Sequence, residues 1–174
     1  MGLSMSSLVF RCSEHSACDD ILRRIREITD DHEGLVHNFD QPSGAYAIVS
    51  PYGDLAPVLG ELAEDISALS EDYVIMTGCV DSDFAILEVF LRGELVERCC
   101  IGEIYEEMEE IFGVTKPRRE LWQKLLPEGT DPEALEEVLY GESLFVEDQL
   151  RKLSALTGLP IMDDGLVFSG EEEA

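Results

Sequence analysis

Cations are scarce in this chain: 12 Lys and Arg stand against 38 Asp and Glu over 174 residues, a formal charge of −26 at pH 7. A surface so poor in positive charge opposes binding to nucleic acid phosphates or to an anionic membrane face. Long apolar runs are missing as well. The longest are of strand length, far below the roughly 20 residues a helix needs to cross a bilayer, and the first residues lack a charged segment leading into a long apolar stretch. The chain therefore reads as soluble, unexported and cytoplasmic, with no membrane partner. Its five cysteines are odd in number and irregularly spaced, in a chain long enough to bury a core unaided, so reduced thiols are expected. The sequence also contains no G-x-G-x-x-G, no phosphate-binding GK[ST] loop and no Ser-His-Asp arrangement. No cofactor is expected, and a binding protein is favoured over an enzyme.

What the chain does have is a strand-rich centre. Tyr73 to Ile101 reads as three consecutive strands, and the middle run, Phe84 to Leu91, is apolar on both faces, so it wants cover on both. The turns agree: Asp81-Ser82-Asp83 and Arg92-Gly93-Glu94 break the ladder, and Gly93 tolerates positive φ. Upstream, Leu8 to Cys12 makes a strand, and Ser16 with Asp19 has the form of a capping box opening a helix that runs to about Thr29. Ala17, Ile21, Ile25 and Ile28 give that helix an apolar stripe, with Arg23, Arg24 and Arg26 forming a basic outer face. A polar connector over residues 30–44 leads to a strand near Ala45 to Ser50. A second helix then starts near Asp54, striped by Leu55, Val58, Leu59, Leu62, Ile66 and Leu69. Beyond Gly102 the pattern changes to short helices with consistent start and stop signals, among them Gly113, Thr130-Asp131-Pro132 and Gly158-Leu159-Pro160. The expected fold is α+β: a mostly antiparallel sheet with two covering helices and an α-helical C-terminal region. Residues 1–101 form the sheet core, 102–168 a helical cap or subdomain, and 169–174 a disordered tail.

Four groups of residues could carry chemistry. Cys12-x2-His15-x2-Cys18, with His32 and His37 downstream, offers ligands zinc accepts. Cys12 falls in a strand and Cys18 in a helix, however, so the three need not converge, and no metal site is expected. Asp81, Asp83 and Glu88 supply carboxylates, but D-S-D is ordinary turn chemistry, and Glu88, lying on the face of Phe84, Ile86 and Phe90, calls for a partner such as Arg98 or lines a pocket. Of Cys99 and Cys100, which point to opposite faces, one is expected to be buried. Lys116-Pro117-Arg118-Arg119 is a basic group expected to compensate the acidic helix before it, and Trp122 is expected in the core.

The acids are uneven along the chain. Residues 1–53 hold eight acids against four bases, 54–101 eleven against two, and 102–174 nineteen against six. Glu103, Glu106, Glu107 and Glu110, with Glu136 and Glu137 further on, are the expected partner-binding residues, and the partner they suit is a basic protein. Acidity also serves solubility, which requires no partner.

The order strand, helix, strand, helix, three-strand meander and short helices is joined by three motifs: Asp81-Ser82-Asp83, Arg92-Gly93-Glu94-Leu95 and the helix opening Phe145-Val146-Glu147-Asp148-Gln149-Leu150. Over residues 54–157 this resembles uncharacterised bacterial proteins of the immunity type, which neutralise toxins used in competition. The resemblance implies an acidic, non-enzymatic protein that inhibits a toxin, often a basic nuclease, by occlusion. It transfers no interface residue. The alternative is a small ligand-binding or hydrolytic domain using Glu88 and the Asp81/Asp83 turn.

Overall fold

A computed structural model describes residues 2–12, 15–40, 44–70, 72–104 and 106–162. Six antiparallel strands, β1 (Met5–Arg11), β2 (Val36–Asp40), β3 (Ala45–Ser50), β4 (Val74–Val80), β5 (Phe84–Leu91) and β6 (Glu94–Gly102), form one sheet in the order β2-β3-β1-β4-β5-β6. The class is α+β, as the pattern predicts. The three-strand run supplies one half of the sheet, and β1 holds the middle, paired on one side with β3 and on the other with β4.

Residues 30–44 differ from expectation, because the polar connector contains β2. It pairs only with β3, at the edge of the sheet, where a strand needs no apolar alternation on two covered faces. At the opposite edge Thr115 makes an isolated parallel bridge to β6, accepting from the Cys100 N–H at 2.9 Å and donating to the Arg98 carbonyl at 3.3 Å.

Both sheet faces are covered. On one lie α1 (His15–Asp31) and α2 (Ala56–Leu69), which bury Ile21, Ile25, Leu59, Leu62 and Ile66 against Leu8, Phe10, Ile48, Val74 and Phe90. Each large apolar side chain fully buried this way contributes about 1.5–3 kcal/mol. Arg24 of the basic face is not free, since it joins the two helices through Asp65 at 2.9 Å. The capping side chain proposed at Ser16 lies outside the described residues.

The C-terminal helices are α3 (Glu106–Phe112), α4 (Arg119–Lys124), α5 (Pro132–Tyr140) and α6 (Val146–Thr157). The last three close the second face: Trp122, Leu135, Val138, Leu139, Leu150 and Leu153 share one cluster with Val9, Ile75, Leu87, Val89 and Cys99. Their expected boundaries hold, with the Asp131 side chain accepting from Glu133 N–H and Gly158 in the left-handed region. α3 lies over Phe84 and Cys100 on the α1/α2 side. The proposed tail at 169–174 lies outside the described residues. Among those described, no helix is long and apolar enough to cross a membrane.

With both faces covered, Cys99 and Cys100 are both buried, not one alone. Burial pushes both thiols up, Cys100 to about 12, and does the same to Cys79, also to about 12. The expectation of reduced thiols throughout fails at Cys12 and Cys18, which form a disulfide. The end of β1 and the first turns of α1 bring the two together although one follows a strand and the other sits in a helix.

Candidate functional site

The Asp81-Ser82-Asp83 turn between β4 and β5 is where distant parts of the chain meet. Asp81 and Ser82 both take left-handed backbone angles, φ 49° and 63°, which cost energy in residues that carry a Cβ. Hydrogen bonds hold them there. Asp81 Oδ1 accepts from Gly2 N–H at 2.8 Å, and Ser82 exchanges two bonds with Leu3, its N–H donating to the Leu3 carbonyl at 2.9 Å and its Oγ accepting from Leu3 N–H at 2.7 Å. The Ser82 carbonyl accepts from Val146 N–H at the start of α6, and Ser82 Oγ donates to Glu147. Asp83 contributes its backbone, with its carbonyl accepting from Glu103 N–H at 3.0 Å. The turn thereby fixes α6, the end of β6 and the N-terminal residues in one arrangement.

Next to it lies a cleft of about 510 Å³ whose lining includes Gly102, Glu103, Glu109, Lys116, Tyr140 and Glu142. Glu103, Glu109 and Glu142 outnumber Lys116, so the cleft is acidic. Glu106, Glu107 and Glu110 stand exposed on α3, and Glu137 stands exposed on α5. Of the acids expected to bind a partner, only Glu103 lines the cleft, joined there by Glu109 and Glu142. Glu136 is different, because Arg119 pairs with it.

The connector from α5 to α6 forms a ridge beside this cleft. Tyr140 is 47% exposed, Leu144 85% and Phe145 52%, which puts apolar area in solvent amid acids. Tyr140 is pinned by its hydroxyl, which donates to the Pro117 carbonyl at 2.6 Å. Exposed apolar side chains beside charged ones make a surface on which a protein could dock.

Other predicted residues are placed elsewhere. Glu88 faces Arg98 across the β5–β6 ladder and pairs with it at 3.2 Å, the partner expected from its position. It stands five residues from Asp83, roughly 17 Å along the strand, so the carboxylates of Glu88 and the turn are not brought together. Asp81 is engaged by Gly2. Cys12 and Cys18 are bonded to each other, the His15 side chain lies outside the described residues, and among the described residues no three ligands gather for a metal ion. Arg118 and Arg119 do not compensate α3 as expected, since their pairs are Glu97 of β6 and Glu136 of α5.

Sequence reasoning missed two buried carboxylates. Glu97 accepts from Trp122 Nε1 at 2.7 Å and from Arg118 N–H at 2.7 Å, which seats the expected core tryptophan. Glu147 is buried at the first turn of α6, beneath the 81–83 turn. The sequence signal for the ridge was Leu144-Phe145, two apolar residues ahead of a helix that gave them no place in its stripe.

No protein-family model, no curated protein and no solved structure matches this chain.

Proposed function

We propose that the protein is an acidic, non-enzymatic protein-binding domain that occludes a basic partner, in the manner of an immunity protein neutralising a toxin. The observation that carries this reading is the exposed Leu144–Phe145 ridge beside a cleft lined by Glu103, Glu109 and Glu142. The division of labour follows from physics. The net charge of −26 steers a cationic surface into encounter over a range set by ionic strength, and apolar anchors then set the lifetime of the complex. The separation of Glu88 from the turn weighs against the ligand-binding or hydrolytic alternative built on them.

The test is capture from lysate of the native cells with two baits, wild type and Leu144→Asp/Phe145→Asp, at low and high salt. A basic protein that the wild type retains stoichiometrically, that salt releases and that the double variant fails to retain is the expected result. Identical retention by both baits, or retention indifferent to salt, would overturn it. With the partner in hand, replacing Glu103, Glu106, Glu107 and Glu110 by Gln should slow association and flatten its salt dependence, with a smaller change in dissociation.

A further inference from the structure

The Cys12–Cys18 disulfide joins two elements that are held very differently. Its β1 side is fixed. Every residue from Ser6 to Arg11 is paired with β3, the Cys12 N–H donates to the Gly44 carbonyl at 2.9 Å, and the Arg11 guanidinium donates to the Thr157 carbonyl at 3.0 Å. Its α1 side is looser. Cys18 lies in the first turn of α1, and among the described side chains the first of that helix to be fully buried is Ile21, at 1% exposed. Of the residues between, Asp19 is exposed and Asp20 pairs with Arg23 of the same helix, not with the sheet. The disulfide ties this helix start to the sheet. Both of its residues are half-buried, whereas Cys79, Cys99 and Cys100 are buried, with thiols that burial pushes up and so keeps out of exchange. A reductant in solution therefore meets this pair and not the other three. The bond closes only residues 12–18, in a chain whose core covers both faces of a six-stranded sheet, so its removal takes away a local constraint and leaves the core in place.

We propose that Cys12–Cys18 is a redox latch on the start of α1, closed as the disulfide and opened by a dithiol. A thiolate of the dithiol attacks one sulfur of the pair, the S–S bond breaks, and the other sulfur leaves as a thiolate that takes up a proton. The second thiol of the reductant then displaces the first cysteine from the mixed disulfide and passes it a proton, so two protein thiols form and the dithiol is oxidised to its own disulfide. Opening frees residues 15–18, and with them the carbonyls to which the N–H groups of residues 19–22 donate in the helix. Ile21, Ile25 and the Arg24–Asp65 pair keep the rest of α1 on the sheet and on α2. The unlatched state is thus a frayed helix start on an intact domain. The latch does not depend on the acidic face binding a partner.

The full chain is compared before and after treatment with dithiothreitol under native conditions, by intact mass after iodoacetamide and by amide hydrogen exchange. Reduction should make two thiols alkylatable, those of Cys12 and Cys18, and reoxidation with oxidised dithiothreitol should withdraw them. Amides of residues 19–22 should exchange about tenfold or more faster in the reduced protein, while those of residues 25–28 change by less than about twofold. Trp122 fluorescence should keep its cooperative transition in urea. Cys12→Ser/Cys18→Ser should reproduce the reduced exchange pattern without reductant, and if that variant does not fold, the wild type reduced in place decides. Exchange unchanged by reduction, no native alkylation after dithiothreitol, or failure of the two thiols to rejoin on reoxidation would each overturn the latch. Alkylation of all five cysteines with loss of the cooperative transition would overturn it too, because the bond would then staple the whole fold.

Discussion

Glu97 and Trp122 show how much one buried carboxylate can organise. Glu97 Oε2 receives the indole N–H of Trp122, while Oε1 receives the backbone and side chain of Arg118, so one acid on β6 positions the start of α4 and its core residue together. Glu97→Leu should destabilise the protein by about 1–3 kcal/mol, because it leaves donors without acceptors in a dry site; Glu97→Gln should cost less, since its amide oxygen can still accept one bond. Trp122 is the single tryptophan, so its fluorescence in a urea titration reports both the loss and any local loosening. The pairing was not legible from sequence. The acid and the indole are 25 positions apart, and a glutamate in an alternating strand reads as solvent-facing until both faces are known to be covered. Glu88, by contrast, was legible, because its strand neighbour across a short hairpin can be counted off.

At the scale of elements, the meander from β4 to β6 and the helices α2, α5 and α6 were readable. Their apolar periods are long, and their stops are chemically specific. Arg92 and Gly93 both adopt positive φ in the tight hairpin that R-G-E suggested. β2 was unreadable because an edge strand makes half the contacts and tolerates polar residues on both sides. The Cys12–Cys18 disulfide was unreadable because its closure depends on how α1 leaves β1. Of the candidate surface, the acids could be counted along the chain, yet which of them line one cleft, Glu103 with Glu109 and Glu142, depends on how the chain beyond β6 folds back. Gly102 ends β6 at φ +93°, and a Cβ there would sit 2.5 Å from the Asp83 carbonyl oxygen and 2.9 Å from Phe84 Cα. Gly102→Ala should therefore lower stability by several times the ~0.5 kcal/mol within which ordinary surface substitutions fall, and a lowered urea midpoint checks it.

Over the whole molecule, the buried thiols tie stability to alkaline pH. Cys79 and Cys100 titrate at about 12 in the folded protein against 9.0 for an ordinary thiol, chiefly because burial disfavours the thiolate. Between those values the unfolded chain has released protons that the folded chain still holds. Stability from these thiols is thus complete below about pH 9 and is lost as pH rises toward about 12. Urea midpoints at about pH 8 and pH 11 should show the fall, and Cys79→Ala/Cys100→Ala should remove much of it. The free thiols Cys79, Cys99 and Cys100 should also resist iodoacetamide in the native state and react once the chain is denatured, as read by intact mass.

The 81–83 turn also bears on the order in which the chain assembles. Its supports come from residues 79 positions upstream and 65 downstream, and neither can be present when β4 and β5 first zip together. The left-handed geometry of Asp81 and Ser82 is then expected to be completed late, after the folding barrier has been crossed. Ser82→Ala should accelerate unfolding and leave the refolding rate nearly unchanged in stopped-flow measurements. The surface built on that turn would accordingly be the last part of the molecule to form and the first to come apart.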